Sequence, residues 1–280
     1  MMSTVRNWLQ SGKDVLKNRK GTIILLVVVL MLPHALIFLQ SYRHNNASSC
    51  NVLGIQLRGT LITYIPDGYR EDTTLSADDR DVTSSEEVVE TIQSGNMDWD
   101  IKAIVIEVDS GGGSPVAGEE IAQAIALSEK PVVAFIRYYG ASASYWAVAP
   151  AQKIFASRNS SVGGIGVTSS YIEEVDNKKR YVQIISGKYK DYGSPNKRIT
   201  DEERAILQED NDIIYQNFIS AVAKYRNLTV ANVTKLANGS TVMGEKAKRQ
   251  GLIDEIGSFV EVKKYLTTIT GGKDVSVCWN

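Results

Sequence analysis

The pattern of apolar and polar positions predicts an α/β fold built from repeated strand, glycine turn and helix units. Residues 101–108 and 131–136 are short runs rich in β-branched residues, which indicate buried strands. A glycine-containing turn and a helical segment follow each run, and Pro115 suits the first turn of the first helix, which we expect to reach about Glu129. Such repeats imply a mostly parallel sheet with right-handed crossovers, whose strands end at one edge.

The remaining elements follow from the same periodicities. We expect a strand or hairpin over 52–65 with a break at Gly59, a polar loop over 66–83, a strand at 153–156, a loop leading into a strand over 160–167, a strand at 180–186 and a strand-like segment at 252–254. Helix starts are predicted by Ser84 or Ser85, by a capping box of Thr200 and Glu203 that opens a long helix reaching about Tyr225, and by a segment from about Ser258 that ends before Gly271.

The N-terminal region contains a candidate membrane anchor. Residues 22–39 carry no formal charge, and as a helix they would extend about 27 Å, close to a bilayer core of about 30 Å. A cleaved signal peptide is the alternative, but the residues that follow offer no convincing small-x-small cleavage site. We therefore expect an uncleaved anchor.

Charge predicts the orientation of that anchor. Five basic residues and one acidic residue precede it within the first twenty positions, so the positive-inside rule places the N-terminus in the cytoplasm. The predicted organisation is a basic cytoplasmic segment (1–21), the anchor (22–39), a juxtamembrane linker (40–50), a main domain (51–270) and a C-terminal tail (271–280). We expect a single-pass protein of the cytoplasmic membrane whose main domain lies outside the cytoplasm.

Composition narrows the possible functions. After the first twenty residues the chain has 26 basic and 31 acidic residues, which gives no electrostatic footprint for nucleic-acid binding. The two cysteines, Cys50 and Cys278, bracket the main domain, and their spacing does not suggest a metal site. A disulfide and two unpaired thiols both remain open at this point.

The absence of histidine restricts the chemistry most. The only histidines are His34 and His44, so residues 45–280 cannot supply a Ser-His-Asp or Cys-His arrangement. A base must then be Lys, Asp, Glu or Tyr, and lysine requires a pKa lowered from about 10.4 towards 7 or 8. Lys188 and Lys190 follow an apolar segment and are the favoured candidates, although Asp191 opposes Lys190 unless its side chain points elsewhere.

Two glycine-containing turns lie at the predicted carboxyl edge of the sheet. Residues 140–146, Gly-Ala-Ser-Ala-Ser-Tyr-Trp, resemble a strand-to-helix turn with Ser142 or Ser144 as nucleophile; the alternative is a simple helix cap. Gly111, Gly112 and Gly113 could donate backbone N–H groups to an oxyanion, or only permit a tight turn. Their spacing fits neither a dinucleotide fingerprint nor a P-loop.

Four segments together resemble the signal peptide peptidase A family, membrane-anchored serine proteases with a Ser-Lys dyad on a crotonase/Clp protease-like fold of repeated ββα units. The matching segments are residues 108–113, 140–146, 153–156 with 163–167, and 186–191 with Ser194-Pro195. The resemblance covers about residues 51–270, which it marks as a peptidase domain. It also implies one transmembrane helix before that domain.

The resemblance assigns roles residue by residue. It implies Ser142 as nucleophile, Lys190 as base and the Gly113 N–H, helped by Gly112, as oxyanion hole, with Ser144 as a rival nucleophile. A serine that hydrogen-bonds the lysine in the family falls on Gly164 here. Another hydroxyl, from Ser160, Ser161 or Thr168, would have to orient the lysine.

The expected function is a serine endopeptidase that degrades signal peptides or other small apolar peptides at the outer face of the cytoplasmic membrane. The resemblance implies no cofactor, metal or nucleic acid, and it implies a homo-oligomer in which neighbouring subunits complete each active site. Two alternatives stay open. One is a catalytically degenerate peptide-binding or regulatory member; the other, less favoured because of the anchor, is a crotonase-type acyl-thioester enzyme.

Overall fold

The computed structural model describes residues 50–69, 81–173, 182–272 and 274–280. Within these ranges the strands are β1 (Val52–Ile62), β2 (Val82–Ser84), β3 (Ala103–Gly113), β4 (Val132–Ala141), β5 (Lys153–Ala156), β6 (Ser161–Gly163), β7 (Thr241–Met243), β8 (Glu255–Ile256) and β9 (Val277–Trp279). The helices are α1 (Ser85–Met97), α2 (Pro115–Ala126), α3 (Ala143–Val148), α4 (Asp201–Tyr225), α5 (Val230–Leu236), α6 (Gly244–Arg249) and α7 (Phe259–Ile269).

The strands form one mostly parallel sheet. Its main path runs β2-β1-β3-β4-β5-β8, and all of these neighbours are parallel. Strand β6 also pairs with β4 in parallel, β9 pairs with β1 in parallel, and only the β6–β7 pair is antiparallel. The prediction of an α/β fold with a mostly parallel sheet is confirmed.

Helices cover both faces of the sheet. On one face α1, α2, α3 and α4 pack on buried aliphatic residues of β1, β3 and β4, and Trp146 of α3 stacks on Phe218 of α4 with ring centroids 4.9 Å apart. On the other face Val262 and Leu266 of α7 pack on a separate cluster that includes Val105 and Phe135. Strands buried on both faces explain why their sequences are continuous apolar runs.

Residues 111–113, the glycine segment, differ from their predicted form. The sequence places the end of a strand at Val108, whereas β3 continues through Gly113 and pairs with β1 at Thr60 and Leu61. The predicted break at Gly59 is a register shift inside one long strand, because Gly59 has φ +59° and a Cβ there would lie 1.7 Å from the Asp81 carbonyl oxygen. The 52–65 segment is therefore a bulged strand and not a hairpin.

Other boundaries also shift. Residues 82–84 form β2 and not the end of a polar loop, residues 182–186 form no strand, and the strand near 252–254 occurs at β8. Residues 277–279, which the sequence assigns to a tail, pair with β1, and Cys278 forms a disulfide with Cys50 across a Cα–Cα distance of 5.6 Å. Long-range pairing, which local propensity does not encode, decides each of these cases.

Predicted helix starts agree closely with the structure. The Ser84 hydroxyl accepts from the Glu87 N–H at the start of α1, and Thr200 with Glu203 forms the predicted capping box of α4. None of the helices in the described ranges is long and apolar enough to cross a membrane. The predicted anchor at 22–39 lies outside those ranges and stays a prediction.

Candidate active site

Ser142 occupies a strained turn between β4 and α3. Its backbone has φ 55° and ψ −133°, a conformation that residues other than glycine rarely adopt, and its side chain makes no capping hydrogen bond. The residue is only half-buried, unlike its neighbours in the turn. A strained serine at a strand-to-helix turn is the geometry in which hydrolases expose a nucleophilic hydroxyl.

Backbone hydrogen bonds on both sides of Ser142 hold this turn in place. The Ser142 N–H donates to the Gly163 carbonyl at 2.8 Å, and the Ser142 carbonyl accepts from the Tyr145 and Trp146 N–H groups at 3.0 Å each. Tyr145 and Trp146 are buried in the core, which fixes the first turn of α3. The surrounding fold therefore stabilises the strained conformation.

The Ser144 hydroxyl has a structural role. Its side chain is fully buried, and its Oγ lies 2.7 Å from the Ser110 carbonyl and 2.8 Å from that of Ala141. The Ala141 N–H donates to the same Oγ at 3.0 Å. Ser144 thus links β3 to β4, whereas the hydroxyl of the neighbouring Ser142 makes no hydrogen bond with the described residues.

The two glycines predicted to form the oxyanion hole differ in how available their backbone N–H groups are to a substrate. The Gly112 N–H donates to Ser110 Oγ at 3.1 Å, and Ser110 Oγ donates to the Gly59 carbonyl at 2.6 Å, so this N–H already has an acceptor. Gly112 itself packs against the turn, because a Cβ there would lie 2.7 Å from Ser142 Cβ. Gly113 is exposed at the end of β3.

One candidate donor was missed by the sequence analysis. The Ala143 N–H opens α3, and the first N–H groups of a helix have no partner within that helix. A Cβ at Gly112 would lie 2.9 Å from the Ala143 nitrogen, so this N–H adjoins the glycine segment. The position after the serine in a strand-to-helix turn commonly supplies such a donor, and this signal could have identified it.

The structure does not bring Lys190 to Ser142. The Lys190 side chain is exposed, and its ammonium makes no ion pair or hydrogen bond with the described residues; only its backbone N–H donates, to the Gly187 carbonyl at 3.2 Å. Asp191 points elsewhere, since its carboxylate lies 2.9 Å from Lys197 Nζ. The objection that Asp191 would hold Lys190 charged is therefore removed.

The other candidate lysine is unsuited to act as a base. Lys188 Nζ lies 2.6 Å from a Glu202 carboxylate oxygen, and this hydrogen bond raises the pKa of Lys188. A general base near neutral pH requires the opposite shift. Of the two lysines singled out by sequence, the structure leaves Lys190 as the candidate.

The glycine segment lines a polar cavity of about 800 Å³, which Arg58, Asp109 and Arg137 also line. Both arginines lie 3.4 Å from the Glu107 carboxylate, which is nearly buried in the sheet face. The described residues contain no group of three His, Cys, Asp or Glu side chains that could hold a metal ion.

Comparison with known proteins supplies the family. Residues 124–271, just over half of the chain, match the family described as Peptidase family S49. The chain belongs to peptidase family S49. This membership confirms the resemblance to the signal peptide peptidase A family and, at that level, the prediction of a serine protease.

Relatives in family S49 carry related names. The chain is 32% identical over 164 residues to the protein named "Putative signal peptide peptidase SppA" of Enterococcus faecium, covering 56% of this chain and 48% of that protein. It is 33% identical over 175 residues to Protease 4 of Salmonella typhi, covering 60% of this chain and 28% of that one. The chain thus spans about half or less of the length of these curated relatives.

Solved structures similar to this S49 chain include a mutant of the membrane-bound stomatin-specific protease 1510-N. It has a TM-score of 0.49 and 16% identity, and the match covers 83% of this chain and 98% of that one. A ClpP1 mutant from Listeria monocytogenes has a TM-score of 0.47 and 14% identity, with 73% and 91% covered.

Proposed function

We propose that this S49 chain is a serine endopeptidase that cleaves small apolar peptides, including signal peptides, at the outer face of the cytoplasmic membrane. The observation that carries the proposal is the Ser142 turn. A strained backbone holds the half-buried Ser142 against the glycine segment, and its hydroxyl makes no hydrogen bond with the described residues. The hydroxyls of the nearby Ser110, Ser144 and Ser160 all make hydrogen bonds to backbone carbonyls. Strain of this kind is maintained where function requires it.

The proposed reaction is acyl transfer through Ser142. A neutral lysine amine takes the Ser142 proton as Oγ attacks the peptide carbonyl, and the N–H groups of Gly113 and Ala143 stabilise the oxyanion. Collapse expels the amine product, which takes up the proton, and leaves an acyl-enzyme that water hydrolyses. Each oxyanion donor of this type contributes about 100- to 1000-fold to kcat in serine proteases.

Lys190 is the proposed base, and we assign it to the Ser142 of a neighbouring subunit. Its ammonium is exposed and unpaired within the described residues, and Val182, Ile184 and Tyr192 of the same segment expose apolar surface. Charged and apolar side chains exposed together on a monomer are typical of a contact surface. A homo-oligomer would bury this segment and complete each active site.

The disulfide supports an extracytoplasmic location. Cys50 joins Cys278, and such bonds persist in oxidising compartments but are rare in the cytosol. Basic residues before the predicted anchor give the same orientation from an independent property of the chain. An apolar substrate at the membrane surface is consistent with both.

The test combines two inactive variants of the full-length protein in detergent. Ser142→Ala and Lys190→Ala should each lack hydrolysis of a fluorogenic apolar peptide, and Ser144→Thr, which keeps a hydroxyl at 144, serves as the matched serine control. When the two variants are unfolded and reassembled together in equal amounts, about a quarter of the sites in a ring should pair an intact serine with a neighbour's intact lysine. Recovery near that level supports action between subunits, whereas wild-type rates in Ser142→Ala would contradict the whole proposal.

A catalytically degenerate, peptide-binding protein is the second candidate, favoured by the absence of a side chain at Gly164. A fluorophosphonate probe separates the two. Labelling that disappears in Ser142→Ala indicates an activated serine, while a wild-type protein that binds apolar peptides but is never labelled would be the degenerate member.

A further inference from the structure

Thr241 lies in a row of paired residues that leads directly to the nucleophile turn. In the antiparallel β6–β7 pair, Thr241 is opposite Gly163, and Gly163 is opposite Ala141 of β4, the residue before Ser142. Paired residues of neighbouring strands share one face of a sheet. Gly163, which lies between Thr241 and the turn, has no side chain, and a Cβ there would lie 3.5 Å from Leu252 Cδ1.

Distances around Gly164 locate the end of this side chain. A Cβ placed at Gly164 would lie 3.4 Å from Thr241 Cγ2 and 3.3 Å from the Ser142 nitrogen. The Thr241 methyl carbon therefore borders the small space beside Ser142 that Gly164 leaves unfilled, and the hydroxyl oxygen is bonded to the same Cβ. Gly164 has φ +58°, so a larger residue there would be strained in any case.

The Thr241 hydroxyl has no hydrogen-bond partner among the described residues. The residue is half-buried, and within the described ranges its Oγ1 makes no hydrogen bond. Ser160, one of the hydroxyls that the sequence suggested for orienting the lysine, lies 3.0 Å from the Ile136 carbonyl and 2.9 Å from that of Arg137. Ser161 is two pairs away from Gly163 along β6, opposite Tyr139 and Met243, and so lies further from the turn.

An amine that acts as a base needs such a group. A lysine side chain has four rotatable bonds, and its neutral amine can donate an N–H to a hydroxyl oxygen while keeping its lone pair for the serine proton. Such a hydrogen bond reduces the number of positions from which the nitrogen can reach the serine Oγ. We infer that Thr241 is the positioning residue that hydrogen-bonds the lysine amine acting on Ser142. This inference rests on the proposed function.

The test is a set of variants of the full-length protein. Thr241→Val keeps the shape of the side chain and removes the hydroxyl, and we expect kcat to fall about 10- to 100-fold with KM unchanged. This is the effect typical of a lost hydrogen bond to a charged group, which the amine becomes as it takes up the Ser142 proton. Thr241→Ser retains a hydroxyl and should keep kcat within about threefold of the wild type. Thr268→Val, which removes an exposed hydroxyl from α7, is the matched control and should have no effect.

Labelling of Ser142 by a fluorophosphonate should slow in Thr241→Val and recover in Thr241→Ser, a rescue that a purely structural role would not produce. If valine destabilises the β6–β7 pair, as thermal unfolding would reveal, Thr241→Ala and Thr241→Ser provide the same comparison. Wild-type kcat in both Thr241→Val and Thr241→Ala, or a loss in Ser161→Ala alone, would overturn the inference. Because Ser142→Ala tests the proposed function separately, inactivity in that variant together with an active Thr241→Val would reject only the role of Thr241.

Discussion

Removing the disulfide between Cys50 and Cys278 should destabilise the domain strongly. The bond closes a loop across a sequence separation of 228 residues. The chain-entropy expression gives about 5 kcal/mol for a loop of this length, and measured losses for native disulfides are about 2 to 5 kcal/mol. For a domain of this size, this range corresponds to a decrease of roughly 4 to 20 °C in the unfolding midpoint.

The same perturbation should have a local effect. Strand β9 has only three residues, which pair with residues 52–54 of β1, and the Asn51 and Asn280 N–H groups donate backbone hydrogen bonds at the two ends of this pairing. Side chains of Val277 and Trp279 cover Gly54 on β1, where an added Cβ would lie within 2.8 Å of both. Loss of the covalent bond should therefore release β9 before the rest of the sheet unfolds.

The assay compares the wild type with the Cys50→Ala/Cys278→Ala double variant by thermal unfolding and by hydrogen exchange of β1. Reductant should lower the midpoint of the wild type to that of the variant and leave the variant itself unchanged. Equal midpoints for the two proteins under oxidising conditions would refute the reasoning, as would unchanged exchange protection at residues 52–54.

Three further predictions concern the site and its support. Gly112→Ala should reduce kcat/KM at least about 100-fold, because its Cβ would lie 2.7 Å from Ser142 Cβ and would displace the proposed nucleophile; peptide hydrolysis by the folded variant measures this effect. Ser144→Ala should lower stability by about 1 to 3 kcal/mol, since it leaves the buried Ala141 N–H without its acceptor, and urea unfolding would detect the loss. The hydrogen bond from Lys197 lowers the pKa of Glu203 below 4.5, so its stabilisation is present above that pH and is lost as the pH falls through the lowered value. Glu203→Gln should thus be less stable than the wild type at pH 7, by a difference that narrows as the pH falls below 4.5; a difference of constant size over that range would disprove the linkage.

Local patterns predicted the helices well, and long-range pairing limited the prediction of strands. The capping box of Thr200 and Glu203 sets the start of α4 through contacts three residues apart, so the sequence alone locates it. The glycines at the end of β3 have low strand propensity and become a strand only because β1 pairs with them. No window of sequence near Gly112 contains that information.

In the candidate site, too, the features formed by neighbouring residues were predictable and those that depend on distant residues were not. The turn at Ser142 was predictable because strand, turn and helix follow one another in the chain. The distinction between Ser142 and Ser144 was not, since it depends on the Ser110 carbonyl of another strand. The position of the proposed base was also beyond local patterns, because Lys190 Nζ makes no hydrogen bond or ion pair with the described residues.

The backbone conformation of Ser142 lowers the stability of the fold at the residue that the proposed activity requires. A left-handed conformation costs a serine about 1 to 3 kcal/mol relative to a residue that adopts it freely, and glycine is such a residue. A selection for abundance alone would therefore enrich glycine at position 142, whereas a selection for peptide cleavage would retain serine. The proposed nucleophile is therefore a residue that selection for folding alone would replace.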